Sequence, residues 1–363
     1  MMYQCGSCAW GGDSAGFEGW TLRGSIGDDD VIRFDRPQKD ETNATSPWVS
    51  PRFSPSAAIA SWNCDTPGRS GIEVELQIRA TDGSLSGWFT MGRWSSEPGV
   101  PRGSVAGQAS GGVSILTDTL VSNALFEALR VRVTPYGEAG PTVRRVGLTW
   151  SEPKPAQWAV PQTAGPGAGA PVVIRGVPEC SQMIYANGGN TWCSPVSLAM
   201  VMGYWRGGTA CQALVEETRD GVFDQVYGGY GNWAFNVAWA GSLGFVAQVV
   251  RFGSLAATRP WIECGAPLIL SVSWDNDGGR PLSGAPVRSS NGHLTVLVGF
   301  DADGRAVMNE PASPDDASVR RTYDASELER CWMTASGGAA YVVYPSGHPV
   351  PDLGGGYTVS TAS

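Results

Sequence analysis

The sequence predicts two domains of different class, an N-terminal all-β sandwich followed by an α+β domain. Three observations predict this: the length, a change of hydrophobic period near the middle of the chain, and a Pro/Ala/Gly-rich stretch where the period changes. One hydrophobic core rarely serves more than about 250 to 300 residues, and the chain has 363. The expected division is 1–150 for an accessory β domain, 151–172 for a linker, 173–346 for the second domain and 347–363 for a Gly/Pro-rich tail.

In the first domain, short strand candidates alternate with Gly, Pro, Asp and Ser turns. Clear period-2 runs are Ile72 to Arg79, Ala128 to Pro135 and Val143 to Trp150, with weaker ones near Trp20, Val31, Trp48, Ala57 and Gly87. Seven to nine such strands make a sandwich. Residues 151–172 carry almost no packing periodicity and read as a linker. Helical stretches follow at Pro195 to Trp205, Gln212 to Arg219 and Trp233 to Ser242. Strands come after them at Pro267 to Trp274, His293 to Phe300, Ala306 to Asn309 and Ala339 to Tyr344, with a DADG turn at Asp301 to Gly304. Helices first and an antiparallel sheet after them is an α+β arrangement.

Composition excludes several functions. A formal charge of −9, from 34 acidic and 25 basic residues, repels a phosphate backbone, and no basic run reverses it, so nucleic acid is not an expected partner. No apolar run approaches the roughly 18 residues a membrane span needs. Two histidines preclude a His-rich metal centre, and no cofactor is expected. Eight cysteines are compatible with export, and a secreted or extracytoplasmic location is expected, although Met1 to Trp10 lacks the basic and apolar regions of a signal peptide.

The chemistry concentrates around Cys193, which stands immediately before a helix. Ser194 suits the N-cap and Pro195 the first turn. A thiol there meets the positive end of the helix dipole, which favours thiolate. A thiolate nucleophile needs a general base. His293 opens a strongly apolar strand, whereas His348 sits in a Pro/Gly-rich tail, so His293 is the candidate. The base needs a group that fixes its tautomer. The DADG hairpin returns Asn309 and Glu310 to it, and side-chain alternation allows only one to face His293. Asn309 is favoured, with Glu310 as the alternative if a bulge shifts the register. Gln182, eleven residues before Cys193, and the Cys193 backbone N–H are candidate oxyanion donors.

Gln182, the WCSPVSLAM of Trp192 to Met200, the GHLTVLVGF of Gly292 to Phe300 and the NEP of Asn309 to Pro311 resemble the C39-like branch of papain-like cysteine peptidases, over about residues 174–346. The resemblance implies a papain-like fold and peptide-bond hydrolysis, with Cys193 as nucleophile, His293 as base, Gln182 in the oxyanion hole and Asn309 or Glu310 as third member. Related sequences commonly carry Asp-Pro where this chain has Glu310-Pro311, while papain-like relatives use Asn in the orienting role. Without a transporter segment, the chain is similar to the stand-alone, exported branch. Its SWN and GWFTMGRWSS stretches resemble β-sandwich modules found ahead of such domains.

Peptide or protein is therefore the expected substrate. An acyltransferase, a cell-wall amidase and a peptide- or surface-binding module without turnover are the competing readings. Trp48, Trp62, Trp88 and Trp94 suggest a carbohydrate or cell-surface platform, although alternating Trp in a sandwich is more often core. Cys5 and Cys8 lack the partners of a zinc or thioredoxin-like site, and partial disulfide pairing with Cys64 is expected. Cys180, Cys211, Cys264 and Cys331 allow three two-bridge connectivities. Asp28 to Asp30 and Asp275 to Asp277 do not continue as calcium loops.

Overall fold

The computed structural model describes residues 3–28, 30–35, 42–160, 165–186, 188–208, 212–353 and 357–360. Two compact units emerge, and they do not follow the expected linear division. The first contains Gln4–Pro153, Phe223–Val249 and the C-terminal segment from Asp352. The second contains Lys154–Val222 and Val250–Pro351, with Tyr3 from the chain start.

The first unit is built on two antiparallel sheets. One runs Ala109–Ser110, Val113–Leu116, Thr119–Ser122, Ala57–Asp65, Thr142–Ser151, Ile32–Phe34, Ser25–Gly27, and Cys5–Trp10 also pairs with Thr142–Ser151. The other is centred on Phe126–Gly137, paired with Ser70–Ala80 along its whole length. Leu129, Val131 and Val133 are fully buried while Arg130 and Arg132 stay half-buried between them, the alternation the sequence predicts for one solvated face. Trp62 and Trp94 are core residues, Trp48 is buried, and Trp88 lies beneath Arg130 and Arg132, with guanidinium carbons 5.1 and 4.3 Å from its ring centre.

The helix Trp233–Ser242 was expected in the second domain because it follows Cys193 in sequence, but it packs in the first unit. Periodicity defines a helix without saying which core receives it. Phe235 stands edge-on to Trp62 at 6.2 Å and to Trp94 at 5.2 Å. The Asn63 amide donates to Ala247 O at 2.9 Å and accepts from Ala247 N at 3.1 Å. Gly241 permits this approach, since a Cβ there would stand 2.5 Å from the Asn63 amide nitrogen. The tail also departs from expectation: Tyr357–Ser360 pairs with Trp48–Pro51 as a strand.

The second unit carries a sheet in the order Ala339–Pro345, Leu268–Asp275, Ser289–Phe300, Ala306–Asn309, Arg320–Tyr323, all antiparallel neighbours. Val172, placed at the end of the linker by composition, pairs with Phe300, and Val173 with Gly299. Against the sheet lies the helix Cys193–Trp205, whose Val196, Leu198, Ala199, Met200, Val201 and Met202 are completely buried. A helix apolar on all sides belongs inside a core, and its weak amphipathic pattern follows from that. The helix Ala325–Ser336 was not read from the sequence, although Asp324 caps it by accepting from Ser326 and Glu327 N–H groups and Gly337 closes it at φ 64°.

Disulfide expectations also change. Cys8 and Cys64 are free thiols, and Cys5 is not disulfide-bonded to them. Cys264 and Cys331 are likewise free, so two bridges do not form among the second-half cysteines. Cys180 is disulfide-bonded, and Cys211 lies outside the described residues. Asp28 accepts from its own turn and pairs with Arg33, and Asp277 pairs with Arg288, so these carboxylates serve their loops.

Phe235→Ala should lower the stability of the first unit by about 3 to 5 kcal/mol through the cavity it leaves between Trp62 and Trp94. Chemical denaturation followed by tryptophan fluorescence measures this, and a loss below about 1 kcal/mol would remove the helix from that core.

Candidate active site

Cys193 is the first residue of its helix, with Trp192 rather than Ser194 as N-cap. The sequence misplaced the cap because the Ser194 hydroxyl is turned to the Tyr341 hydroxyl, 3.0 Å away, in the core. The first N–H groups of the helix have no intrahelical acceptor and point their dipoles toward the chain start, where the thiol is. Ser197, one turn on, donates to Leu294 O at 3.0 Å and ties the helix to the strand that carries His293.

His293 is buried, and its Nε2 lies 2.5 Å from Glu310 Oε1. Glu310, not the favoured Asn309, is therefore the residue on the imidazole. Counting back from the hairpin, where Phe300 pairs with Ala306, a regular ladder would set Asn309 opposite Leu297, on the side of His293. The ladder slips between Leu297 and Gly299, so that Leu297 meets Met308 and Val296 meets Asn309. The carbonyl of the extra residue, Val298, accepts from Ile174 N–H at 2.8 Å. Each residue reverses the face of a strand, so one inserted residue turns Asn309 away and brings Glu310 to the His293 side.

Asn309 has separate work. Its amide donates to Pro178 O at 2.9 Å, and its Oδ1 accepts from Arg320 Nε at 2.6 Å. It thus anchors the segment that leads to Gln182. Gln182 is buried, its backbone N–H donates to Pro311 O at 2.8 Å, and its Nε2 donates one hydrogen to Gly189 O at 2.9 Å. The carbonyl of Gln182 approaches Gly189 so closely that a Cβ there would stand 2.1 Å from it.

Two residues of the site were not singled out in the sequence. Trp274 presents its ring to the imidazole at 5.2 Å and 89°. It shares a face with Val272, which pairs with His293, and its indole N–H is fixed on Val287 O. Only register, not residue type, marks it. Tyr323 donates its hydroxyl to Glu310 Oε2 at 3.3 Å, and Ala312 N–H donates to Oε1 at 2.9 Å.

Burial opposes every charge here, and the charges sustain one another. Burial pushes the Cys193 thiol up, but the hydrogen bond and charge of His293, with a backbone bond from Leu294, outweigh it and bring the thiol below its ordinary value. Burial pushes His293 down, yet the Glu310 carboxylate and the Cys193 thiol raise it to about 10. Burial raises Glu310 too, and His293 together with the Ala312 N–H carries it below the usual carboxylate range. The other described thiols with a resolved shift move oppositely: burial raises Cys8, Cys64, Cys264 and Cys331. With Nε2 on Glu310, Nδ1 is the imidazole nitrogen left for the thiol. The arrangement can hold a thiolate beside an imidazolium.

A helix-borne cysteine, a buried histidine and a carboxylate gathered on adjoining strands are chemistry suited to acyl transfer. Residues 27–151 match the Peptidase C39 N-terminal domain, and residues 174–340 match the Peptidase_C39 like family. The chain belongs to the C39-like peptidase family. Among solved structures, a candidate C39-like peptidase from Bacillus anthracis is 18% identical, with a TM-score of 0.37, covering 49% of this chain and 100% of that one. A structure of the Gt strain of infectious bursal disease virus is 10% identical, with a TM-score of 0.20, covering 39% of this chain and 33% of that one. No curated protein matches significantly.

Iodoacetamide should alkylate Cys193 faster at pH 7 than free cysteine. The thiolate–imidazolium pair is lost as pH falls through the lowered thiol value and as it rises through about 10, where the imidazole deprotonates. Glu310→Gln should slow alkylation at neutral pH, because the imidazolium loses the carboxylate that sustains it. Mass-spectrometric rates answer this, and a Cys193 no faster than free cysteine would remove the activated thiolate.

Proposed function

We propose that the chain is a cysteine peptidase of papain-like fold that hydrolyses peptide bonds through an acyl-enzyme on Cys193. The supporting observation is the Cys193, His293, Glu310 series, in which the thiol at the helix start meets an imidazole held on its far side by a buried carboxylate. The Cys193 thiolate attacks the peptide carbonyl carbon, and the electron pair moves to the carbonyl oxygen. The Cys193 backbone N–H and the second hydrogen of Gln182 Nε2 are the donors for that oxyanion. As the tetrahedral intermediate collapses, the C–N bond breaks and the His293 imidazolium gives its proton to the departing amine. The neutral imidazole then takes a proton from water, whose oxygen attacks the thioester and returns the thiolate.

Glu310 holds the ring orientation and favours the imidazolium, and Trp274 keeps water from the His293–Glu310 contact. Asn309 acts on structure, by fixing the segment that leads to Gln182. The disulfide at Cys180 supports a secreted or extracytoplasmic location, since such bonds persist outside reducing compartments.

Digestion of an unbiased peptide library, read by mass spectrometry, tests this reading. Cleavage should disappear with Cys193→Ala, by at least about a thousandfold. Glu310→Gln should lower kcat by roughly 10²- to 10⁴-fold, and Asn309→Ala should act chiefly on stability. Cleavage that survives Cys193→Ala would refute the assignment. Transfer to an added amine in place of hydrolysis would convert the peptidase into an acyltransferase.

A further inference from the structure

Acids outnumber bases by 34 to 25 in this chain, yet some cations have no acidic partner among the described residues. Two such cations line one cavity in the second unit. Arg280 ends the loop that follows Trp274, and Arg330 lies on the helix Ala325–Ser336. Among the described residues neither guanidinium makes an ion pair or a hydrogen bond, and the Arg280 Nε is buried without an acceptor. A buried donor left unpaired is costly and rare in folded proteins.

The two arginines are brought together by Cys331, whose thiol contacts Pro281 O at 3.4 Å and Arg280 O at 3.8 Å. Burial pushes that thiol up to about 12, and the charges of both Arg280 and Arg330 pull against the rise, so both fields converge there. The loop is closed by Asp275 N–H donating to Arg280 O at 2.8 Å. The cavity measures about 370 Å³ and is lined in addition by Gln157, Trp158 and Thr334. Gln157 and Trp158 come from a stretch expected to be linker. It is tied to the helix by Lys154 Nζ donating to Ala335 O at 3.1 Å. Asp275 also borders the cavity, but it is exposed, and its Oδ1 already accepts from Asp277 N–H at 3.1 Å.

We propose that this cavity is a binding site for an oxyanion, a carboxylate or phosphate group, held by the Arg280 and Arg330 forks with the Gln157 amide. Two guanidinium forks fit planar carboxylates and phosphate oxygens in bidentate fashion, which a single ammonium does not. The volume is that of a site for a small ligand. Trp158 offers an apolar wall for whatever group carries the charge. The site uses none of the groups assigned to catalysis, so it stands whether or not the peptidase reading does.

Isothermal titration of the full chain with inorganic phosphate and, separately, with succinate at constant ionic strength tests the proposal. Saturable binding of at least one is expected. Binding of phosphate alone assigns the site to phosphoryl groups, and binding of succinate alone to carboxylates. Arg280→Gln and Arg330→Gln should each weaken binding by about tenfold or more. Gln157→Glu, at an exposed position that the fold tolerates, should do the same by placing a negative charge at the rim, and it serves if an arginine variant fails to fold. No saturable heat from either anion up to about 10 mM, or affinity unchanged in the folded variants, would overturn the site.

Discussion

A carboxylate and an imidazole are held in contact inside the second unit, and the site depends on that contact more than on any other. Either group alone would be neutralised by burial. Together, with Ala312 and Tyr323 donating to the carboxylate, they support a charge that the protein interior otherwise rejects, and the Cys193 thiol draws on the same charge. Such a pair is poor evidence of stability, because its desolvation offsets much of its attraction. It is better evidence of chemistry, since perturbed groups that converge on a nucleophile are what acyl transfer requires.

The contact exists because of a backbone irregularity. The extra residue at Val298 costs the hairpin one ladder position, and Ile174 recovers the exposed carbonyl. The chain just past the expected linker, at the start of the second domain, thereby stabilises the bulge that selects the partner of the histidine. Val172 and Val173 extend the sheet at the same place. Local strand pairing and the chemistry of the site are in this sense a single structural fact.

Much of this was legible in the sequence, for identifiable reasons. Ala306–Asn309 and Trp233–Ser242 fall where residue patterns place them, because strong periodicity survives burial. Cys193 and His293 were legible because few other residues could do their chemistry, one histidine of two and one thiol at a helix start. The choice between Asn309 and Glu310 was not, because it turns on whether one residue is inserted several positions away, and nothing in Leu297 to Gly299 announces it. Trp274 escaped for a related reason, as its role depends on register across two strands. The cap of Ala325–Ser336 was legible and was missed: Asp324 followed by Glu327, with Gly337 at the end, is the usual signature of a helix.

The first unit is discontinuous in the chain. Its helix and the Asn63–Ala247 pairing come from residues that leave the ribosome well after Pro153, once Lys154–Val222 of the second unit has been made, and its last strand closes only with Tyr357–Ser360. During synthesis its sheets must therefore wait, with Trp62 and Trp94 uncovered, while the helix Cys193–Trp205 emerges. Order of manufacture, as well as final packing, shapes such a chain, and a gene cut at the composition boundary near residue 151 would encode a β unit missing part of its own core.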